Sequence, residues 1–190
     1  MVLTDYLAQQ FPVISDHWAT LEKRFTAKKV TAGTTLLTEG AIATNLYFIV
    51  SGAARLSHSS ENREITLQFF FENQVVASFE SFYLAQPSGF ALTCFEDSDL
   101  LVLSRTDFDW LRQTYPAIEP EITRFVCDRF ITYRNIFFDQ LQHSPVERYQ
   151  NLVMNTPEIL DRVPLHLVAS YLGITPVSLS RIRTRLQQKS

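Results

Sequence analysis

The chain of 190 residues, 46% of them hydrophobic, can build the core of one large or two small domains, yet no apolar run is long enough to span a membrane. Its only cysteines, Cys94 and Cys127, lie far apart and outside any CxxC or Cys/His pattern, which excludes a disulfide framework or a zinc cluster and suits reduced, buried thiols. The net charge of −3 hides an asymmetry: twelve basic and twenty acidic residues up to Asp161, then five basic and no acidic residues from Arg162 onward.

The start, MVLTDYLAQQF, lacks a basic region leading into an apolar run, so a cytoplasmic location is expected. A helical segment is predicted to about Phe25. Short runs rich in β-branched and aromatic residues then give eight predicted strands at 28–31, 35–38, 46–50, 53–58, 64–71, 74–77, 90–94 and 99–103. With no helix between them long enough for a parallel crossover, they predict an antiparallel barrel or jelly roll, an α+β class once the helices are added. Residues 106–115 read as a short helix closed by Pro116.

From 117 to about 142 the period becomes helical. One apolar stripe runs Ile122, Val126, Phe130, Tyr133, Phe137, Leu141; a second runs Ile118, Phe125, Ile131, Phe138. A helix packed on one surface needs one stripe. Two stripes predict two partners, the barrel and a second copy of the chain, with the first stripe as the dimer interface. Ser144, Pro145 and Glu147 form a capping box with proline at the first helical position, so a new helix should start there and run to about 155, with another start at 156–158.

Residues 165–182, LHLVASYLGITPVSLSRI, fit a helix-turn-helix. Ala169 is the small residue needed where two helices cross, and Gly173 suits a turn with positive φ. Val168, Leu172, Ile174, Leu179 and Ile182 fall on the inner faces. Thr175 is a good N-cap ahead of Pro176. The outer face of the second helix, Val177, Ser178, Ser180, Arg181 and Thr184, continuing to Arg185, is short, mixed and polar, as expected of a helix reading base edges in a major groove. A basic element on an acidic body is the electrostatic footprint of a polyanion partner, here double-stranded DNA. Three domains follow: a sensor at 1–116, a dimerisation helix at 117–143 and a DNA-binding domain at 144–190.

This layout resembles the Crp/Fnr family of bacterial transcription regulators over nearly the whole chain. Gly33-Thr34-Thr35-Leu36, Glu39-Gly40 and Leu46-Tyr47-Phe48-Ile49-Val50-Ser51-Gly52 are similar to the first half of a cyclic-nucleotide-binding domain, and Phe95-Glu96-Asp97-Ser98-Asp99 with residues 101–104 to its closing strands. The resemblance implies a homodimer on a near-palindromic operator, with RNA polymerase as a further partner if the protein activates. It also implies a cassette in which an arginine pairs the cyclic phosphate. Counting back from the closing strand puts Ser88 at that position, behind Pro87, which has no N–H to donate. A buried phosphodiester without a cation is costly, so binding of cyclic AMP is not expected. Ser78, Glu80, Ser81 and Ser88 remain the candidates to line a pocket for an unknown small effector. The phenylalanines at 69, 70, 71, 79, 82, 90 and 95 are expected to fill the barrel interior, with the lining of an apolar effector pocket as the alternative.

Two further departures concern the DNA-binding end. The eight or so residues between 155 and 165 leave no room for the usual β-hairpin wing. Of the family's best-known base-contacting positions Arg181 matches, whereas Pro176 and Val177 replace an arginine and a glutamate, so the operator sequence does not carry over. The cysteine cluster of iron–sulfur members is missing. His17, His58, His143 and His166 are isolated, which suits surface or satisfied histidines rather than haem or metal ligands; neither cofactor, metal nor catalytic residue is expected. A cupin-type metalloenzyme would need several histidines converging in the barrel, where only His58 falls. A ligand-binding module whose helix-turn-helix serves protein contacts is the other alternative.

Overall fold

Strand-forming sequence between Phe25 and Ser104 closes into two four-stranded antiparallel sheets, in a computed structural model that describes residues 3–60 and 63–187. The strands are β1 (Phe25–Val30), β2 (Thr35–Leu37), β3 (Asn45–Ser51), β4 (Ala54–Ser60), β5 (Arg63–Phe70), β6 (Val75–Val76), β7 (Ala91–Cys94) and β8 (Ser98–Ser104). One sheet runs β1-β8-β3-β6 and the other β2-β7-β4-β5. All eight predicted strands are present, each within a few residues of its predicted bounds. Leu46, Phe48, Leu56, Leu92, Leu100 and Leu103 are buried between the sheets.

The tight turn after β3 needs Gly52. Its φ is +89°, and a Cβ there would stand 2.3 Å from the Asp97 carbonyl oxygen and 2.4 Å from Ser98 Oγ.

The N-terminal helical segment is broken into α1 (Leu3–Gln10), α2 (Pro12–Asp16) and α3 (Trp18–Leu21). Pro12 starts a new helix because it has no N–H for the preceding one. These helices close one end of the barrel, with Phe11 against Phe48 and Phe125. Between β6 and β7 lies α4 (Phe79–Leu84). After β8 comes α5 (Arg105–Thr114), whose N-cap Ser104 accepts the Asp107 N–H.

The long helix α6 (Glu119–Gln142) spans 24 residues, about 36 Å at 1.5 Å per residue. Its apolar residues do not divide into a barrel-facing and an outward stripe as expected. They divide along its length. Ile118, Ile122 and Phe125 are buried against the barrel, whereas Val126, Phe130, Ile131, Tyr133, Phe137, Phe138 and Leu141 are exposed. Ile122, predicted at the dimer interface, therefore belongs to the protomer core, because the helix leaves the barrel only one turn later. Arg129 anchors the departure by donating to the Val75 carbonyl at 2.8 Å with its guanidinium over Phe70. Burial pushes its pKa down.

Ser144 and Glu147 form the predicted capping box at the start of α7 (Pro145–Asn155), and α8 (Pro157–Arg162), α9 (Leu165–Tyr171) and α10 (Pro176–Gln187) follow. Among the described residues no strand lies between Asn155 and Leu165, where a wing would stand; α8 occupies the connection. No helix is long and apolar enough to cross a membrane among the described residues.

Candidate nucleic-acid interface and sensor cavity

The α9–α10 pair has helix-turn-helix geometry. Ala169 and Val168 are fully buried where the helices meet, and Leu172 and Leu179 pack behind them. Gly173 has φ +66°, and a methyl added there would meet nothing within 4 Å, so backbone conformation alone selects glycine. Thr175 Oγ1 accepts the Ser178 N–H at 3.2 Å and lies 3.0 Å from Ser178 Oγ, so α10 is N-capped as expected.

Thr175, Pro176, Val177, Ser180, Arg181, Thr184 and Arg185 are exposed on α10, and Ser178 is half-buried by its contact with the cap. Thr184 donates back to the Ser180 carbonyl at 3.1 Å. No carboxylate pairs with Arg181, Arg183 or Arg185 among the described residues. Arg183 borders a groove of about 780 Å³ between α7 and α10.

Arg162, the first cation of the basic tail, is spent differently from the others. Nη1 donates to Glu72 Oε2 at 2.7 Å, Nη2 to Glu72 Oε1 at 2.9 Å and Glu96 Oε2 at 2.6 Å, and Nε to Glu96 Oε1 at 3.1 Å. The guanidinium also lies over the Phe71 ring. Hydrogen bonding to Glu72 and Glu96 raises its pKa, and the bond from Arg162 lowers that of Glu72. Arg162 therefore corrects the charge argument, since its cation is neutralised by the barrel.

Close by, the Thr66 N–H on β5 donates to Ser170 Oγ at 2.9 Å, and that hydroxyl donates to the Glu64 carbonyl at 2.7 Å. Phe69, Phe71 and Phe95 do not fill the barrel interior as expected. They pack on the core of the helix-turn-helix, with Phe69 5.4 Å from Tyr171. Sequence reasoning missed Arg162, Glu72, Glu96 and Ser170 as a group because nothing local marks partners separated by 66 to 106 residues.

All four effector candidates are hydrogen-bonded within the protein. Ser88 is buried; its hydroxyl lies 2.7 Å from Ser78 Oγ and 2.8 Å from the Phe90 carbonyl, and it accepts the Phe90 N–H. Ser78 in turn donates to Glu80 Oε1 at 2.9 Å. Ser81 donates to the Gln86 carbonyl and accepts the Ala43 N–H, tying α4 to the turn before β3. Glu80 borders two cavities flanking α4 and α6, of about 570 and 500 Å³, and neither Ser81 nor Ser88 lines them. Leu56, Phe79, Phe90, Tyr133 and Tyr171 contribute to the larger, in which Glu80 is the one charged side chain among the lining residues. His58 Nδ1 lies 2.9 Å from Glu39 Oε1 and 3.0 Å from the Gly89 carbonyl, and His143 Nδ1 2.8 Å from Asp139 Oδ1.

Residues 27–115 match the family model of the cyclic nucleotide-binding domain. No curated protein sequence matches the chain. Among solved structures it is similar to CLP, a c-di-GMP responsive global regulator of Xanthomonas campestris, at 17% identity over 92% of each chain with a TM-score of 0.75. It is similar also to a protein described as a transcriptional regulator of the Crp/Fnr family from Eubacterium rectale, at 18% identity over 95% of this chain and 88% of that one, TM-score 0.77. FixK2 from Bradyrhizobium japonicum matches at 14% identity over 87% and 85%, TM-score 0.73. The class is thus defined: a cyclic-nucleotide-binding-type barrel joined to a long helix and a terminal helix-turn-helix, the fold of Crp/Fnr-type regulators.

Proposed function

We propose that the chain is a homodimeric, cytoplasmic, DNA-binding transcription regulator whose barrel takes neither cyclic AMP nor cyclic GMP. The observation that carries the reading is α10: a capped, well-backed helix that exposes Val177, Ser180, Arg181, Thr184 and Arg185 together, with no carboxylate pairing its arginines among the described residues. Phosphate contacts by these cations give affinity through counterion release, and Arg181 reads a base edge. The exposed apolar length of α6 supports pairing with a second copy, which sets two reading helices about 34 Å apart on successive major grooves. Against a cyclic nucleotide stands the sensor itself. Its larger cavity offers one acid and no cation, the cation bordering the smaller one, Arg129, is held by the Val75 carbonyl and the Phe70 ring, and Ser88 is already engaged with Ser78 and Phe90.

Selection of bound sequences from random duplex DNA, followed by footprinting, tests this. The expected product is a two-fold symmetric site protected over successive major grooves. Recovery of no enriched sequence, with non-specific binding only, would refute it.

A further inference from the structure

We propose that Arg162 and Ser170 are positioning residues for operator recognition, locking each helix-turn-helix to the barrel of its own protomer so that the edge of β5 sets the angle of the reading helix. The inference rests on the DNA-binding reading above.

Three independent contacts make the lock. Arg162 grips two carboxylates from two different turns, Glu72 after β5 and Glu96 after β7, and its Nη2 also reaches the Gly52 carbonyl at 3.4 Å. A planar fork can hold both acids at once, whereas an ammonium group has no such geometry. Ser170 does for β5 what a neighbouring strand would do. The strand is the edge of its sheet, with backbone groups left unpaired, and one hydroxyl satisfies both the Thr66 N–H and the Glu64 carbonyl. The third contact is apolar. Phe69, Phe71 and Phe95 would form an exposed aromatic patch on the barrel if the helix-turn-helix left it.

An interface that is both apolar and ion-paired holds domains together, whereas small polar ones let them swing. The lock is no mask, because the outer face of α10 remains exposed while α9 is docked. Docking therefore orients the reading helix before DNA arrives, and the ordering cost falls on folding instead of on binding.

The alternative is that Arg162 is a phosphate contact that the two acids merely hold in reserve, and the two readings predict opposite signs. Removing an acid from a protein that meets a polyanion strengthens binding if electrostatics alone governs it. Under the lock, Glu96→Gln instead weakens operator affinity, by roughly three- to tenfold. Arg162→Gln weakens it similarly while leaving the slope of log K against log salt unchanged. Tighter binding by Glu96→Gln, or a slope reduced by about one in Arg162→Gln, would overturn the proposal.

Amide hydrogen exchange of the full chain without DNA gives a readout free of the function assigned above. Thr66 and α9 should exchange faster in Ser170→Ala and Arg162→Gln, with the β3 and β8 amides still protected. Unchanged protection at Thr66 in both variants overturns the lock whether or not DNA binds, whereas a wild-type protein that binds no DNA refutes the function alone.

Discussion

Replacing Phe130 and Phe137 with glutamate should convert the protein into a folded monomer. Phe130 is 70% exposed and Phe137 59% exposed on the protomer, so both rings can be changed without opening its core. Full burial of a phenylalanine is worth about 1.5–3 kcal/mol, so covering these exposed fractions yields about 1–2 kcal/mol per ring. Four rings across a two-fold axis then carry about 4–8 kcal/mol of association free energy, before like charges facing one another are counted. At 1.4 kcal/mol per tenfold, their loss weakens dimerisation by roughly three orders of magnitude or more. Tyr133, though on the same stripe, is a poorer target because it is less exposed than either ring and desolvation of its hydroxyl already raises its pKa. Sedimentation velocity at micromolar concentration, with a thermal melt as a check on folding, measures the outcome. A variant that stays dimeric, or one that loses its cooperative melt, would refute the reasoning, the second by showing that the rings pack within one protomer.

Gly52→Ala should lose at least about 2 kcal/mol in urea unfolding, since a methyl there meets Asp97 and Ser98 and the backbone is left-handed; an unchanged midpoint would contradict this. Calorimetry with cyclic AMP and cyclic GMP should show no binding, because loss of a bidentate cation contact costs about 3 kcal/mol, over a hundredfold in affinity. A dissociation constant in the low micromolar range would refute the reading of Ser88. Acid should loosen the docked helix-turn-helix. Glu72 lies below its ordinary 4.5 when folded, so its contribution is present above pH 4.5 and lost as pH falls through the folded value. Exchange at Thr66 against pH follows this, and an identical profile in Glu72→Gln would exclude Glu72 as the cause.

What was legible in the sequence was local. Short runs of β-branched and aromatic residues marked all eight strands, Ser144-Pro145-Glu147 marked a helix start through backbone groups three residues apart, and Ala169 and Gly173 marked a crossing and a turn by size and φ. The apolar content of α6 was equally visible, but not where the helix leaves the barrel, since Ile122 and Val126 are alike in sequence and differ only in what lies opposite. Three phenylalanines were assigned to the barrel interior for the same reason. Phe70 points inward, while its neighbours Phe69 and Phe71 face a domain about 100 residues later in the chain. The tail's charge was correctly read as basic, yet Arg162 could be separated from Arg181 only once Glu72 and Glu96 were seen beside it.

That the exposed face of α10 reads DNA is tested most directly by a fluorescence titration of the selected operator with Arg181→Ala at fixed salt. The expected loss is about 1–3 kcal/mol of specific binding per half-site, with discrimination relaxed at one base pair. Operator affinity equal to that of the wild type, in a variant that remains folded and dimeric, would contradict it.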